Sequence, residues 1–509
     1  MTSKQFLQPI DRLALALMLV LSLVIGLMLW GGNACASGTN CLLVTGPRVR
    51  DFSWQRKQVG ADDPSFILTF SRPMDRGSVE ANLRIEPSLP GKFSWAGRKM
   101  SYTLTSPAPY DTAYKVSLEG ATERIGTSRV GREMQPFTGE FRTRERAMVY
   151  LGIDKEEQGQ LILYNFTQNK KIVLTPKDLV VMDFKPYPDG EKILFSATDS
   201  RNNKPGLSEQ QIYNVTTGIS SDSGKSNEQS PPAGRLNVVL DNKDYQNLKF
   251  DLSADGETIV VQRVNSKNPA EFGLWVVRED APPQPLKNQP GGEFLIAPDS
   301  ETVAIAQGEG IAILPLTPAA KPLDFLPKFG LVLGFARDGS AGTFVKFNTD
   351  YTRSLFLVTN SGVQKELLRT NGSILGCEFA PQKEILYCLL TQLLAGTDYQ
   401  EQPYIAAIDI KNFTSPLDAN AVKPLLLLPT QRDIHMSLSP DGLALLFDQV
   451  VTSPGIPTTA DGLRTDEGQA IATSNLWLLP LTFSNPGEPR TQMQPEQLPL
   501  PGLQPRWLP

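Results

Sequence analysis

One histidine, four cysteines and a series of regularly spaced aspartates are the residues of this 509-residue chain whose types could carry chemistry. His435 would have to supply the base of any Ser-His-Asp or Cys-His mechanism, because the nucleophile needs an imidazole to take its proton. No Gly-x-Ser-x-Gly elbow accompanies it, so His435 is expected to line a core or a channel and no catalytic residue is predicted. Cys35 and Cys41 enclose a short polar loop, and Cys377 and Cys388 flank a predicted hairpin. With one His and two separated Cys pairs, no zinc site of ordinary ligand count can be drawn. Asp-x-Asp-x-Asp-Gly loops and Walker loops are also missing. Neither a metal nor a cofactor is therefore expected.

All four cysteines are possible disulfide partners. If Gln382-Lys383 is a two-residue loop, Cys377 and Cys388 stand directly opposite each other. Opposed Cβ atoms are slightly wider apart than a relaxed disulfide prefers, and a pair of buried thiols is the favoured reading there.

The aspartates belong to turns. Pro188-Asp189-Gly190, Ala254-Asp255-Gly256, Pro298-Asp299-Ser300, Arg337-Asp338-Gly339, Pro381-Gln382-Lys383 and Pro440-Asp441-Gly442 recur with a regular interval near 40 residues, the period of propellers and solenoids. Asp-Gly supplies the positive φ of a tight hairpin, so these acids are read as turn residues rather than a cation-binding ring. A short apolar strand precedes each turn and another follows it. A third strand comes next, as in Ile212-Tyr213-Asn214-Val215 and Leu476-Trp477-Leu478-Leu479. The series resembles the TolB-like branch of β-propellers, whose repeat is "F-S-P-D-G" followed by "L-Y/W-x-x-D/N-x-x-T/S-G". Leu438-Ser439-Pro440-Asp441-Gly442 and Ile212-Tyr213-Asn214-Val215-Thr216-Thr217-Gly218 carry the likeness. It implies a propeller over residues 146–509 and leaves the ligand open. The first unit holds three strands, and Leu503-Gln504-Pro505-Arg506-Trp507 looks like a repeat cut off at its turn. This C-terminal strand is expected to close a seven-bladed ring, with Trp507 buried at the seam.

Residues 47–145 carry six or seven alternating strands bounded by Pro, Gly or Asp. Phe70-Ser71-Arg72-Pro73-Met74-Asp75, Pro107 to Tyr114 and Phe141-Arg142-Thr143 resemble the bacterial Ig-like domain of S-layer and other envelope proteins. That resemblance implies a β-sandwich used as a spacer or adhesion module. Pro73-Met74-Asp75 is read as a turn with a core-facing Met, and Asp111 stands where the family usually has Gly.

Residues 13–31 contain no charge, and nineteen helical residues roughly match a ~30 Å hydrocarbon core. Lys4 and Arg12 lie before them, which keeps residues 1–12 cytoplasmic by the positive-inside rule and exports the rest. Residues 32–46 then form a linker. A cleaved signal peptide, ending near Ala34-Cys35-Ala36, is the competing reading. Segment 47–145 holds 16 Lys and Arg against 12 Asp and Glu, a net +4, and 146–509 holds 31 against 41, a net −10. No nucleic-acid partner is implied.

The sequence thus predicts an all-β, single-pass membrane protein with its bulk in the periplasm or outside the cell. It is expected to act as an interaction or scaffold protein that takes a protein or peptide on its propeller. A glycan or small-ligand receptor using the propeller funnel is the alternative, and a cryptic hydrolase or lyase stands third. The insertions at about 219–245, 391–403 and 452–474 exceed ordinary connections and are candidate binding loops.

Overall fold

The computed structural model describes residues 17–23, 46–61, 63–124, 131–201, 209–220, 231–286, 291–317, 321–396, 400–411, 421–429, 433–452, 471–481 and 494–509. Residues 17–23 are helical, and the remainder of the predicted span 13–31 lies outside the described residues. Among the described residues no helix is long and apolar enough to cross a membrane.

The N-terminal strands are β1 (Val49–Phe52), β2 (Gln58–Val59), β3 (Ser65–Phe70), β4 (Leu83–Glu86), β5 (Gly91–Ala96), β6 (Lys99–Leu104), β7 (Ala113–Leu118) and β8 (Phe137–Thr143). They form two four-stranded sheets, ordered β1-β3-β6-β5 and β2-β8-β7-β4. Period-two alternation decides what lies between them. Phe66, Leu68 and Phe70 of β3 and Tyr114, Val116 and Leu118 of β7 are buried, while Ile67 and Lys115 face outward. The result is a two-sheet β-sandwich. Its core is held by edge-to-face and stacked rings, such as Phe52 on Phe66 at 5.3 Å and Tyr114 on Phe141 at 4.9 Å.

Two local readings change here. Met74 is buried as expected, but Asp75 caps a helix over Arg76–Asn82, its Oδ1 accepting from Ser78 N at 2.8 Å. Asp111 takes a positive φ of 51° in the turn before β7. Its carboxylate pairs with Arg142 across the strand end.

From Ala147 onward the strands group in fours. After β9 (Ala147–Gly152), β10 (Leu161–Asn165) and β11 (Lys170–Val173) come β12 (Leu179–Pro186), β13 (Lys192–Asp199), β14 (Gln211–Thr216) and β15 (Leu236–Leu240). The next group is β16 (Tyr245–Leu252), β17 (Thr258–Asn265), β18 (Phe272–Arg278) and β19 (Ala281–Pro285). It is followed by β20 (Phe294–Ile296), β21 (Thr302–Gln307), β22 (Gly310–Pro315) and β23 (Asp324–Pro327). Then come β24 (Leu331–Phe335), β25 (Ala341–Phe347), β26 (Arg353–Thr359) and β27 (Gln364–Thr370). The sixth group is β28 (Ile374–Phe379), β29 (Ile385–Leu393), β30 (Glu401–Asp409) and β31 (Val422–Leu427). The last strands are β32 (Met436–Leu438), β33 (Ala444–Thr452), β34 (Ile471–Pro480) and β35 (Glu496–Trp507).

Each group from β12 to β31 is an antiparallel four-stranded meander, and these are propeller blades. The first and last groups share one sheet, ordered β11-β10-β9-β35-β34-β33-β32. The C-terminal strand is longer than Leu503 to Trp507. Its first half lies against β34, with Gln497 opposite Trp477, and is the fourth strand of the last blade. Its second half crosses to β9, with Leu503 opposite Leu151 and Trp507 opposite Met148, and is the first strand of the first blade. Seven blades result among the described residues. Trp507 is 5% exposed, in a cluster with Met148, Tyr150, Leu446 and Leu500 drawn from both sides of the seam.

The hairpin turns are equivalent in conformation as well as spacing. Gly190, Gly256, Gly339 and Gly442 have φ near 70°, and where glycine is missing Ser300 and Lys383 take the same left-handed region at 60° and 55°.

Candidate functional site

The inner strands bring charged side chains together at the blade junctions near the axis. Lys185 of β12 pairs with Asp251 of β16, and the other Asp251 oxygen accepts Ile296 N of β20 at 2.7 Å. Lys249 of β16 pairs with Glu293, just before β20. Glu378 of β28 accepts Leu438 N of β32 at 3.0 Å. Arg506 of β35 reaches Asp183 of β12 at 3.3 Å and lies over the Phe184 ring at 5.4 Å.

One position organises these contacts. Lys185, Asp251, Glu378 and Ser437 each lie four residues before the central turn residue of their unit. Alignment of the repeat on its turns reveals this polar column, whereas catalytic motifs give no sign of it. Glu378 differs from Asp251 in having no lysine against it. Burial pushes its carboxyl up to about 7, while the Leu438 N–H and the Arg506 charge pull the other way.

His435 sits just before β32. Its Nδ1 is 3.1 Å from Asp448 Oδ2, and its backbone N–H donates to Asp448 Oδ1 at 2.6 Å. Asp448 is fully buried and also accepts Gln504 N at 2.8 Å. An Asp-His pair is the orienting half of a nucleophilic triad. Here, however, the carboxylate is shared with two backbone donors, His435 N just before β32 and Gln504 N in β35, which makes it a staple between the last blade and the closing strand. Ser437, the nearest hydroxyl in sequence, accepts Trp507 N at 3.3 Å.

Cys377 and Cys388 are opposed in the β28–β29 ladder and bonded to each other. The thiol reading does not hold there: the two Cα atoms lie 4.1 Å apart, close enough for the sulfurs to meet. Cys35 and Cys41 lie outside the described residues. The turn acids bind their own loops, Asp189 accepting Glu191 N and Asp299 accepting Glu301 N, both at 2.9 Å, and Asp338 also pairs with Lys383 in the next blade's turn. Among the described residues no group of three or more His, Cys, Asp or Glu is placed to hold a metal.

The two ends of the propeller differ. In an antiparallel blade the first-to-second and third-to-fourth connections share one end, and the second-to-third connections lie at the other. The sandwich sits at the first end. Arg144 Nη1 donates to Pro188 O at 3.1 Å and Pro509 O at 3.0 Å, and Asp63 lies 3.5 Å from Arg337. Arg146 stacks over Trp507 at 4.8 Å and Tyr110 at 5.7 Å. Pro188 belongs to the turn of the second blade and Arg337 to that of the fifth, so the sandwich lies across this end of the axis. At the opposite end the last two complete blades are extended. Their middle strands pair as far as Leu393 with Glu401 and Thr452 with Ile471. Of the predicted insertions 219–245, 391–403 and 452–474, residues 221–230, 397–399 and 453–470 lie outside the described residues, and Leu236–Leu240 of the first is a blade strand, β15.

A cleft of about 600 Å³ opens on the outer face of the β7–β8 sheet. Arg56, Glu86, Lys115, Glu140 and Arg142 line it; Arg56 lies 3.9 Å from Glu140, and Arg142 pairs with Asp111 beside the cleft.

No family model matches the chain, and no curated protein matches its sequence. Among solved structures it is similar to TolB from Acinetobacter baumannii at 10% identity, covering 84% of this chain and 83% of that one, with a TM-score of 0.36. An oligogalacturonate lyase from Vibrio parahaemolyticus shares 11% identity over 64% of this chain and 89% of its own, with a TM-score of 0.42. A putative 6-phosphogluconolactonase from Bacteroides uniformis shares 11% identity over 71% and 98%, with a TM-score of 0.41. At such scores these likenesses assign neither ligand nor chemistry to this chain.

Proposed function

We propose that this chain is a membrane-tethered, extracytoplasmic interaction protein, without catalysis of its own, that takes a protein or peptide on the propeller face away from the sandwich. The observation that carries the reading is the division of the two faces. One is occupied by the sandwich, and the other carries the extended hairpins of β29–β30 and β33–β34. Long connections on a rigid scaffold are where binding residues concentrate. The charged groups at the axis are spent on one another or on backbone donors, which supports binding at the rim over chemistry in the funnel.

An Ig-like spacer fits the sandwich. Its sheets follow the A-B-E-D and A′-G-F-C order of immunoglobulin domains when β1 to β8 are read in sequence. The uncharged stretch 13–31 and the basic residues before it support the anchor and the export.

Photo-crosslinking in the native membrane tests the binding face. A crosslinker at Tyr351, 92% exposed in the β25–β26 connection, or at Leu393 should capture one discrete protein. Placed at Ser361, on the sandwich side, it should capture none. Equal capture from both faces would overturn the reading, as would a measurable hydrolysis or elimination activity lost in His435→Ala.

A further inference from the structure

We propose that Glu378 anchors a primary-ammonium site near the propeller axis, receiving from a lysine side chain or a free amine the charge that Lys185 brings to the equivalent Asp251. The equivalence is set by register as well as by spacing. Asp251 and Glu378 each lie four residues before the central residue of their turn, and each stands opposite the residue five beyond it, Val260 and Tyr387. Each also accepts the backbone N–H three residues before the turn of the following blade, Ile296 N on Asp251 at 2.7 Å and Leu438 N on Glu378 at 3.0 Å.

The two carboxylates differ on their other side. Asp251 receives the Lys185 ammonium from the preceding blade. The residue that matches Lys185 in the blade before Glu378 is Gly334, opposite Thr343 in the same register. A side chain begun at Gly334 would start 3.2 Å from the Cys377 carbonyl, beside Glu378. Where the second blade sends a lysine to its neighbour, the fifth therefore sends nothing, and Glu378 Oε1 accepts no hydrogen bond among the described residues. A carboxylate drawn out of water without a paired cation is costly, and Glu378 is partly buried. Arg506 acts on it by charge alone, since its guanidinium is held by Asp183 and the Phe184 ring. A compact ammonium on a flexible stem is the group that the repeat itself uses at this position. A divalent metal does not fit, because it needs several oxygen ligands and no acidic cluster stands there among the described residues. The site is independent of the face on which a protein docks.

The full chain in mild detergent at pH 8.5, where Glu378 is ionised and a primary amine is still protonated, provides the test. Butylammonium should raise the melting temperature with a saturating dependence on its concentration. Tetramethylammonium, which has the same charge and no N–H to donate, should not. Glu378→Gln should lose the response. Gly334→Lys carries the ammonium on the chain, so it should melt above Gly334→Met and no longer respond to butylammonium. If the tight start beside Cys377 keeps that variant from folding, the comparison of Glu378→Gln with the wild type decides alone. Nα-acetyl-lysine amide separates the two sources: a half-maximal effect below that of butylammonium assigns the site to a peptide lysine, and one equal or above assigns it to a free amine. If butylammonium raises Glu378→Gln as much as the wild type, if it raises neither, or if tetramethylammonium matches it, the proposal fails.

Discussion

Glu378 is a carboxylic acid whose protonation the fold alters. In the unfolded chain it is an ordinary glutamic acid, and in the folded chain burial holds its carboxyl near 7. A raised acid pKa means that between the two values the native state binds more protons than the unfolded one. Stability from this group is therefore full below the unfolded pKa and is lost as pH rises toward and through 7. The shift corresponds to about 3 kcal/mol at its limit. Glu378→Gln stays neutral and can still accept Leu438 N–H. It should melt with the wild type at pH 4 and above it at pH 8.5, when thermal unfolding is followed across that range. A variant that tracks the wild type at both ends would show that the carboxylate is already solvated.

At the scale of elements, ring closure is where the sequence speaks most clearly. Trp507 closes the cluster between the first and last blades, and truncating a buried Trp costs about 3–5 kcal/mol. Trp507→Ala and deletion of 503–509 should each lower the melting temperature and open the seam to protease. Fluorescence quenching of Trp507 by a soluble quencher in the intact chain would contradict the burial. The seam was legible because an incomplete first unit and an orphan strand at the other end have one simple solution. The length of the strand was not, because Glu496 to Pro501 carries two prolines that argue against a ladder. Only the edge position of that half makes them tolerable. The helix at Arg76 was hidden by the same kind of ambiguity: Asp75 is as good a turn residue as an N-cap, and seven residues are too few for a helical period to stand out. The Cys377–Cys388 register followed from the hairpin, whereas the bond itself depended on a Cα separation that the average strand spacing does not give. The polar column of Lys185, Asp251 and Glu378 is present in the repeat, but charged residues in inner strands do not announce their partners on neighbouring blades.

For the molecule as a whole, the consequential contact is the one that holds the sandwich across the propeller axis. Without it the two domains would swing on the short stretch from Arg144 to Arg146, and both propeller faces would be open. Arg144 fixes the angle by reaching two carbonyls at once, Pro188 O in the second blade and Pro509 O beside the seam. Arg146 adds a cation over the Trp507 and Tyr110 rings, which ties the sandwich to the strand that closes the ring. The Asp63–Arg337 contact on the far side is exposed and contributes little. The prediction is therefore asymmetric. Arg144→Ala with Arg146→Ala should free the sandwich, raising the radius of gyration in solution scattering and making the 143–147 stretch protease-sensitive. Arg337→Ala should change neither. Far-ultraviolet circular dichroism should stay that of a β protein in every variant, because each domain keeps its own core. If the double variant scatters like the wild type, the domains are held by something other than these two arginines, and the division of the propeller into a covered and an open face loses its support.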